Sequence, residues 1–124
     1  MKDNKDKSNV FILWFDDISH KDVEIVGGKN ASLGEMYSEL RKKGVNIPDG
    51  FCLTSFAYRY FLKKNGIDKK LEEIFKKFDS RKIKNIEAAA KKIINLILQA
   101  EFPPDLEKEI LENYKILSKK IQRK

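Results

Sequence analysis

The apolar positions of this chain fall into two periods. Residues 10–15, Val-Phe-Ile-Leu-Trp-Phe, form a short unbroken apolar run, the signature of a buried strand. Asp16, Asp17 and Ser19 end it, and residues 21–26 follow as a turn or short helix. From residue 30 the period lengthens. Leu33, Met36, Tyr37 and Leu40 stand at i, i+3, i+4 and i+7, one face of a helix over residues 30–43. Gly44 is placed to end it. Pro48-Asp49-Gly50 reads as a turn, and residues 51–54 as a second short strand.

The remainder reads as helix. Thr54 or Ser55 can cap a helix over residues 56–64 that stops near Asn65-Gly66. Asp68 is the expected cap of the next, with Leu71, Ile74, Phe75 and Phe78 on one face. Residues 83–100 carry a stripe of Ile86, Ala90, Ile93, Ile94 and Ile97. Pro103-Pro104 breaks that helix, and Pro104 suits the first turn of a last one bearing Leu106, Ile110, Tyr114 and Leu117. No internal repeat is visible. The fold class expected is α+β and helix-rich, with a few short strands and four to five helices around a core of moderate size. Residues 1–9 read as a disordered charged lead and residues 118–124 as a basic, frayed tail.

Composition narrows the class. With 41% hydrophobic and 36% charged residues, the chain has the make-up of a globular domain. No apolar run approaches the ~20 residues that span a bilayer, and residues 1–8 are polar, so no membrane partner is expected. A lone Cys52 excludes an internal disulfide and fits a reducing cytoplasm. Its neighbours Phe51 and Leu53 point to a core or strand position rather than to a catalytic thiol. The net charge of +7 raises a nucleic-acid binder as one reading. The cations are interleaved with acids, as in Lys69-Lys70-Leu71-Glu72-Glu73, which reads first as solvated helix faces.

The candidate chemistry lies at Val26-Gly27-Gly28-Lys29-Asn30-Ala31-Ser32-Leu33-Gly34-Glu35-Met36. Glycine is costly inside a helix, so Gly27 and Gly28 belong before the helix or at its first turn. Helix-opening amides lack intrahelical partners and sit at the positive end of the dipole, which suits a phosphate. Lys29 adds a mobile charge. A plain glycine turn with a solvated lysine is the alternative. The run is neither a Walker A loop nor GxGxxG: no glycine stands five residues before Gly28-Lys29, and Asn30 occupies the Ser/Thr position. His20 lacks a phosphocarrier context and reads as a surface or capping residue. Tyr58, Tyr60 and Phe61 could form a stacking platform, but helical core packing is the better reading.

Downstream, Gly44-Val45-Asn46-Ile47-Pro48-Asp49-Gly50-Phe51 is followed by Leu53-Thr54-Ser55 and Ala57-Tyr58; upstream stands Trp14-Phe15. In this order the motifs resemble the N-terminal segment of phosphoenolpyruvate synthase (pyruvate, water dikinase) and its relative pyruvate, phosphate dikinase. There GGKNASLGEM, a G-V-x-[IV]-P-x-G-F turn and a T-[AS]-x-A-[YF] helix start recur. The likeness runs from about residue 14 to 117, and Asn30-Ala31-Ser32 favours the water-using synthase. The resemblance implies that residues 10–117 are the N-terminal part of an ATP-grasp nucleotide-binding domain, with Lys29 the nucleotide-contacting lysine and Gly27 and Gly28 beside it. It implies a reaction of ATP, pyruvate and water giving AMP, phosphoenolpyruvate and phosphate, with magnesium, in pyruvate metabolism and gluconeogenesis.

It also implies an incomplete machine. The family continues into an Arg-Ser-Ser-Ala-like stretch that Arg123 does not match, and its magnesium-holding acids, phosphohistidine domain and pyruvate-binding barrel lie further on. No catalytic or metal-ligating residue is therefore assigned, and this chain alone is not expected to be active. The expected partners are ATP and the remainder of a dikinase, in cis or in trans. The alternatives are a non-catalytic interaction or regulatory module of the same fold, pairing through exposed apolar stripes, and a basic nucleic-acid binder resting on charge alone.

Overall fold

The computed structural model describes residues 6–122. The order of elements is β1 (Ile12–Trp14), α1 (Val23–Val26), α2 (Gly28–Lys42), β2 (Phe51–Leu53), α3 (Ser55–Lys64), α4 (Ile67–Lys76), α5 (Ile83–Gln99) and α6 (Pro104–Gln122). Among the described residues this is a helix-rich α+β chain, as the periodicity predicts. Two compact units divide the described residues, 6–58 with 104–122 and 59–103, and the division falls inside α3.

In the first unit β1 and β2 pair antiparallel, with Leu13 opposite Cys52, Ile12 opposite Leu53 and Trp14 opposite Phe51. The apolar run at residues 10–15 is a shorter strand than predicted, because Phe15 turns into a 3-10 turn with Asp16 and Asp17. Nor is it buried throughout. A two-stranded ribbon offers one face to the core, so Leu13 and Cys52 are buried while Leu53 is exposed. Leu13, Ile18, Val26, Ala31 and Cys52 form the core, with Val10, Phe15 and Ile25 packed on it. Burying a side chain such as Leu13 or Ile18 stabilises by about 1.5–3 kcal/mol.

The buried face of α2 is Ala31, Gly34 and Tyr37, whereas Met36 is half exposed. The predicted Leu33–Met36–Tyr37–Leu40 stripe is thus rotated toward smaller residues. The cause is the segment after β1: a Cβ on Gly34 would sit 2.6 Å from the Ile18 Cβ and Cγ2 and 2.7 Å from its carbonyl oxygen. Only a residue without a side chain lets α2 lie this close to that backbone.

The last helix is seated on the same unit by polar contacts. The Trp14 indole N–H donates to Asn113 Oδ1 (2.9 Å), and Asn113 Nδ2 donates back to the Glu109 carbonyl (2.7 Å). Lys120 Nζ donates to Asp49 Oδ2 at 2.9 Å and lies 4.4 Å from the Trp14 ring centre, within cation–π range. Residues 118–122 continue α6, so Lys120 of the predicted basic tail is held at the Pro48-Asp49-Gly50 turn.

In the second unit Phe61 is buried and packs on Phe102, ring centres 5.4 Å apart. Tyr58, predicted to pack with Phe61, lies in the first unit and is exposed. Asp68 does not cap α4. That helix starts at Ile67 after Gly66, which leaves Asp68 inside the first turn, where its charge still complements the dipole. Asn65 ties together the two chain ends of the unit: its side chain donates to the Glu101 carbonyl (2.9 Å) and accepts from the Glu101 amide (3.1 Å).

Gly34→Ala measures the close approach at Ile18. In an open helix the change would stabilise by about 1 kcal/mol. Here the Ile18 backbone cannot yield as a side-chain tip could, and overpacking costs about 1–3 kcal/mol. The expected net result is a lower midpoint in thermal unfolding; an equal or higher midpoint would show that α2 moves away freely.

Candidate functional site at the mouth of the second helix

The motif that singles out Gly27, Gly28 and Lys29 sits where α1 stops and α2 starts. Gly27 has φ of +85°, a conformation that side chains disfavour. It closes α1 by donating to the Val23 carbonyl (2.7 Å), and its own carbonyl receives the Ala31 amide (3.0 Å), the bond that starts α2. The amides of Gly28, Lys29 and Asn30 lie ahead of that bond, at the positive end of a 15-residue helix. A Cβ at either Gly27 or Gly28 would meet nothing within 4 Å, so the glycine backbone borders open space. Gly27, Gly28 and Lys29 are all exposed. The arrangement presents helix-opening amides, bare backbone and one ammonium to solvent, which is chemistry for an anion with several oxygens.

A one-turn helix followed by a break leaves carbonyls without amides four residues on. All four in α1 are accounted for. Val23 receives Gly27 N–H; Glu24 and Ile25 share the one Ser55 hydroxyl hydrogen, at 2.8 and 3.1 Å; Val26 receives Asn30 Nδ2 at 3.0 Å. Asn30, a motif residue, therefore turns its side chain back to the preceding helix. Ser55 is free for this contact because Thr54 caps α3: its oxygen accepts the Ala57 amide (3.1 Å) and its hydroxyl donates to the Val10 carbonyl. The sequence left Thr54 and Ser55 as equal cap candidates. It held no signal that the second hydroxyl reaches 30 residues upstream.

The approach to α1 is held by charge. Asp22 and Lys7 are both buried and paired, Nζ to Oδ2 at 2.8 Å. The same Asp22 oxygen accepts the Ser19 amide (2.9 Å), closing a capping box before α1. Lys7 belongs to the segment predicted as a disordered lead; residues 1–5 of that segment lie outside the described residues. Burial, the strongest influence on the Asp22 carboxyl, pushes its pKa up, but the hydrogen bonds from Lys7 and Ser19 and the Lys7 charge hold it below the ordinary 3.8.

Other candidates are placed as follows. The His20 amide donates to Glu35 Oε2 (3.1 Å), and His20 Nδ1 lies 3.2 Å from that oxygen, so the histidine is a surface residue tied to α2. Glu35, also in the motif, thus faces the segment before α1. Cys52 is buried in the sheet, and burial pushes its thiol up to about 11, away from nucleophilic use. Among the described residues no three His, Cys, Asp or Glu side chains converge to hold a metal ion, and no helix is long and apolar enough to cross a membrane.

An anion-receptive helix mouth is the class of site this geometry defines. Residues 23–124, which begin at α1, match the family described as pyruvate phosphate dikinase, AMP/ATP-binding domain, and the chain belongs to that family. Phosphoenolpyruvate synthase of Synechocystis sp. is 43% identical over 108 residues, 87% of this chain and 13% of the relative. The Helicobacter pylori enzyme of the same name is 41% identical over 114 residues, 92% of this chain and 14% of its own length. That of Aquifex aeolicus is 41% identical over 115 residues, 93% and 13%. The chain therefore spans about one seventh of the length of these relatives.

The depressed Asp22 pKa has a definite sign. The ionised pair stabilises the fold above the unfolded carboxyl value, and that stability is lost as pH falls through the lower folded value. Asp22→Asn is expected to cost about 1–3 kcal/mol at pH 7. The gap to wild type should close as pH drops below 3.8. Chemical denaturation at pH 7 and pH 3 reads this; a gap independent of pH would remove the ion pair as its source.

Proposed function

We propose that this chain is the N-terminal ATP-binding segment of a phosphoenolpyruvate synthase, contributing one wall of the nucleotide site in the cytoplasm. The observation that carries the reading is the solvent-facing Gly27-Gly28-Lys29 turn at the start of α2, inside the stretch that matches an AMP/ATP-binding domain. The residues present fit a nucleotide's phosphates: open space over two glycines, amides at a helix start, and an exposed ammonium. In this reading the backbone of Gly27 and Gly28 admits the phosphate chain closely, and Lys29 neutralises part of its charge and orients it. The larger domain would be of the ATP-grasp kind.

The overall reaction in this proposal is the conversion of ATP, pyruvate and water to AMP, phosphoenolpyruvate and phosphate. Magnesium would supply charge neutralisation at the phosphates. Among the described residues no three acidic, His or Cys side chains converge to hold it. Phosphohistidine and pyruvate chemistry belong, in this proposal, to the remainder of a dikinase acting as partner in cis or in trans. Alone, the chain is expected to bind ATP weakly and to turn nothing over.

Titration of Mg-ATP into the 15N-labelled protein tests the site. Amide shifts should centre on Gly28, Lys29 and Asn30, and Lys29→Ala should weaken binding about tenfold, the scale of one charge-assisted contact. Tight binding indifferent to Lys29→Ala overturns the assignment. Adding the separately produced remainder of a phosphoenolpyruvate synthase should tighten binding. No gain would favour a non-catalytic module that pairs through exposed apolar residues such as Leu111, Tyr114 and Ile121 of α6.

A further inference from the structure

We infer that Ser55 is a positioning residue for the phosphate-facing turn: its hydroxyl, by holding the Glu24 and Ile25 carbonyls, sets the break at Gly27 from which Gly28 and Lys29 project. The inference rests on the reading of that turn as the ATP-phosphate wall. The alternative conformation is the one the backbone itself favours. If α1 simply continued, the Glu24 and Ile25 carbonyls would take the amides of Gly28 and Lys29 as ordinary i to i+4 partners. Those amides would then be consumed inside a helix. In the observed structure the single Ser55 hydroxyl hydrogen is shared between both carbonyls, at 2.8 and 3.1 Å, and Asn30 Nδ2 donates to that of Val26 at 3.0 Å. The three acceptors that could draw the next three amides into α1 are therefore bonded by side-chain donors in place of those amides.

Gly27 permits the break through its positive φ, but permission is not selection. A glycine visits helical and left-handed conformations about equally. The selecting contact comes from another element, the start of α3, fixed by the cap at Thr54 and its tie to Val10. The segment Thr54–Ser55 and the segment Gly27–Asn30, separated in sequence, are in this way one unit in space. Lys7 pairs with Asp22, and the Ser19 capping box orders the 3-10 turn at His20–Asp22 that leads directly into α1, so Ser55 acts on a helix whose approach is already held.

Ser55→Ala and Ser55→Thr in the whole chain test the inference by amide exchange and by Mg-ATP titration. Ser55→Ala should speed exchange of the Gly27 amide about fivefold, the scale of one lost hydrogen bond, while amides of α5 keep wild-type rates. It should also move the Gly28 and Lys29 amide resonances and weaken ATP binding severalfold with Lys29 intact. Ser55→Thr, which keeps the hydroxyl, should restore all three. Unchanged Gly27 exchange in Ser55→Ala overturns the role, as does a uniform rise that includes α5, since the effect would then be on the fold as a whole. Failure of Ser55→Thr to rescue also overturns it. If ATP moves no resonance at Gly28 or Lys29 in the wild-type protein, the nucleotide reading fails, and the exchange data still decide whether Ser55 sets the turn.

Discussion

A peptide chain cannot stop one helix and start another one residue later without stranding polar groups. That constraint, met at Gly27, organises the first unit. One turn of helix ends, the backbone passes through a positive φ, and α2 starts with its opening residues exposed. The four carbonyls of α1 then need partners that the backbone supplies only once, from Gly27 itself. Side chains supply the rest. For two of those carbonyls the partner is Ser55 at the start of α3, which ties that segment to α1.

Close approach is the second requirement, and it is met by omission. Gly34 removes the one atom that would hold α2 away from the Ile18 backbone. At Gly50 the same logic applies beside the Phe15 ring, where a Cβ would fall 2.6 Å from a ring carbon. Packing is thus dense around residues that present little side chain. The ordinary apolar stripe of α2 is only partly used, and Met36 is left half exposed. Reading the helix by its largest apolar residues finds Tyr37 on the buried face but misses Ala31 and Gly34 beside it for this reason.

What the sequence made legible is local. Strand and helix periods place β1, β2 and the longer helices, and Gly27 and Gly28 announce the break because no interior helix position suits them. Thr54 and Ser55 announce a cap. Pro104 opens α6 as its fixed φ suggests. The illegible parts are pairings between residues far apart in the chain. Nothing near Lys7 says that its charge will be buried against Asp22, and composition counts it among solvated lysines. Lys120 reads as tail until the fold brings Asp49 and the Trp14 ring beside it. At the candidate site, the residues that border the opening were visible as a motif. Those that shape it from behind, Ser55 above all, were visible only as helix grammar.

The contact between Trp14 and α6 carries a consequence of a different kind. Trp14 is the sole tryptophan of the chain. Its indole N–H bonds Asn113 and its face lies under the Lys120 ammonium, while its ring packs tilted against Phe51 at 5.3 Å between ring centres. An indole's emission responds to a nearby positive charge and to hydration of its N–H. The protein therefore carries its own optical gauge of whether the last helix is seated on the sheet, without any added label.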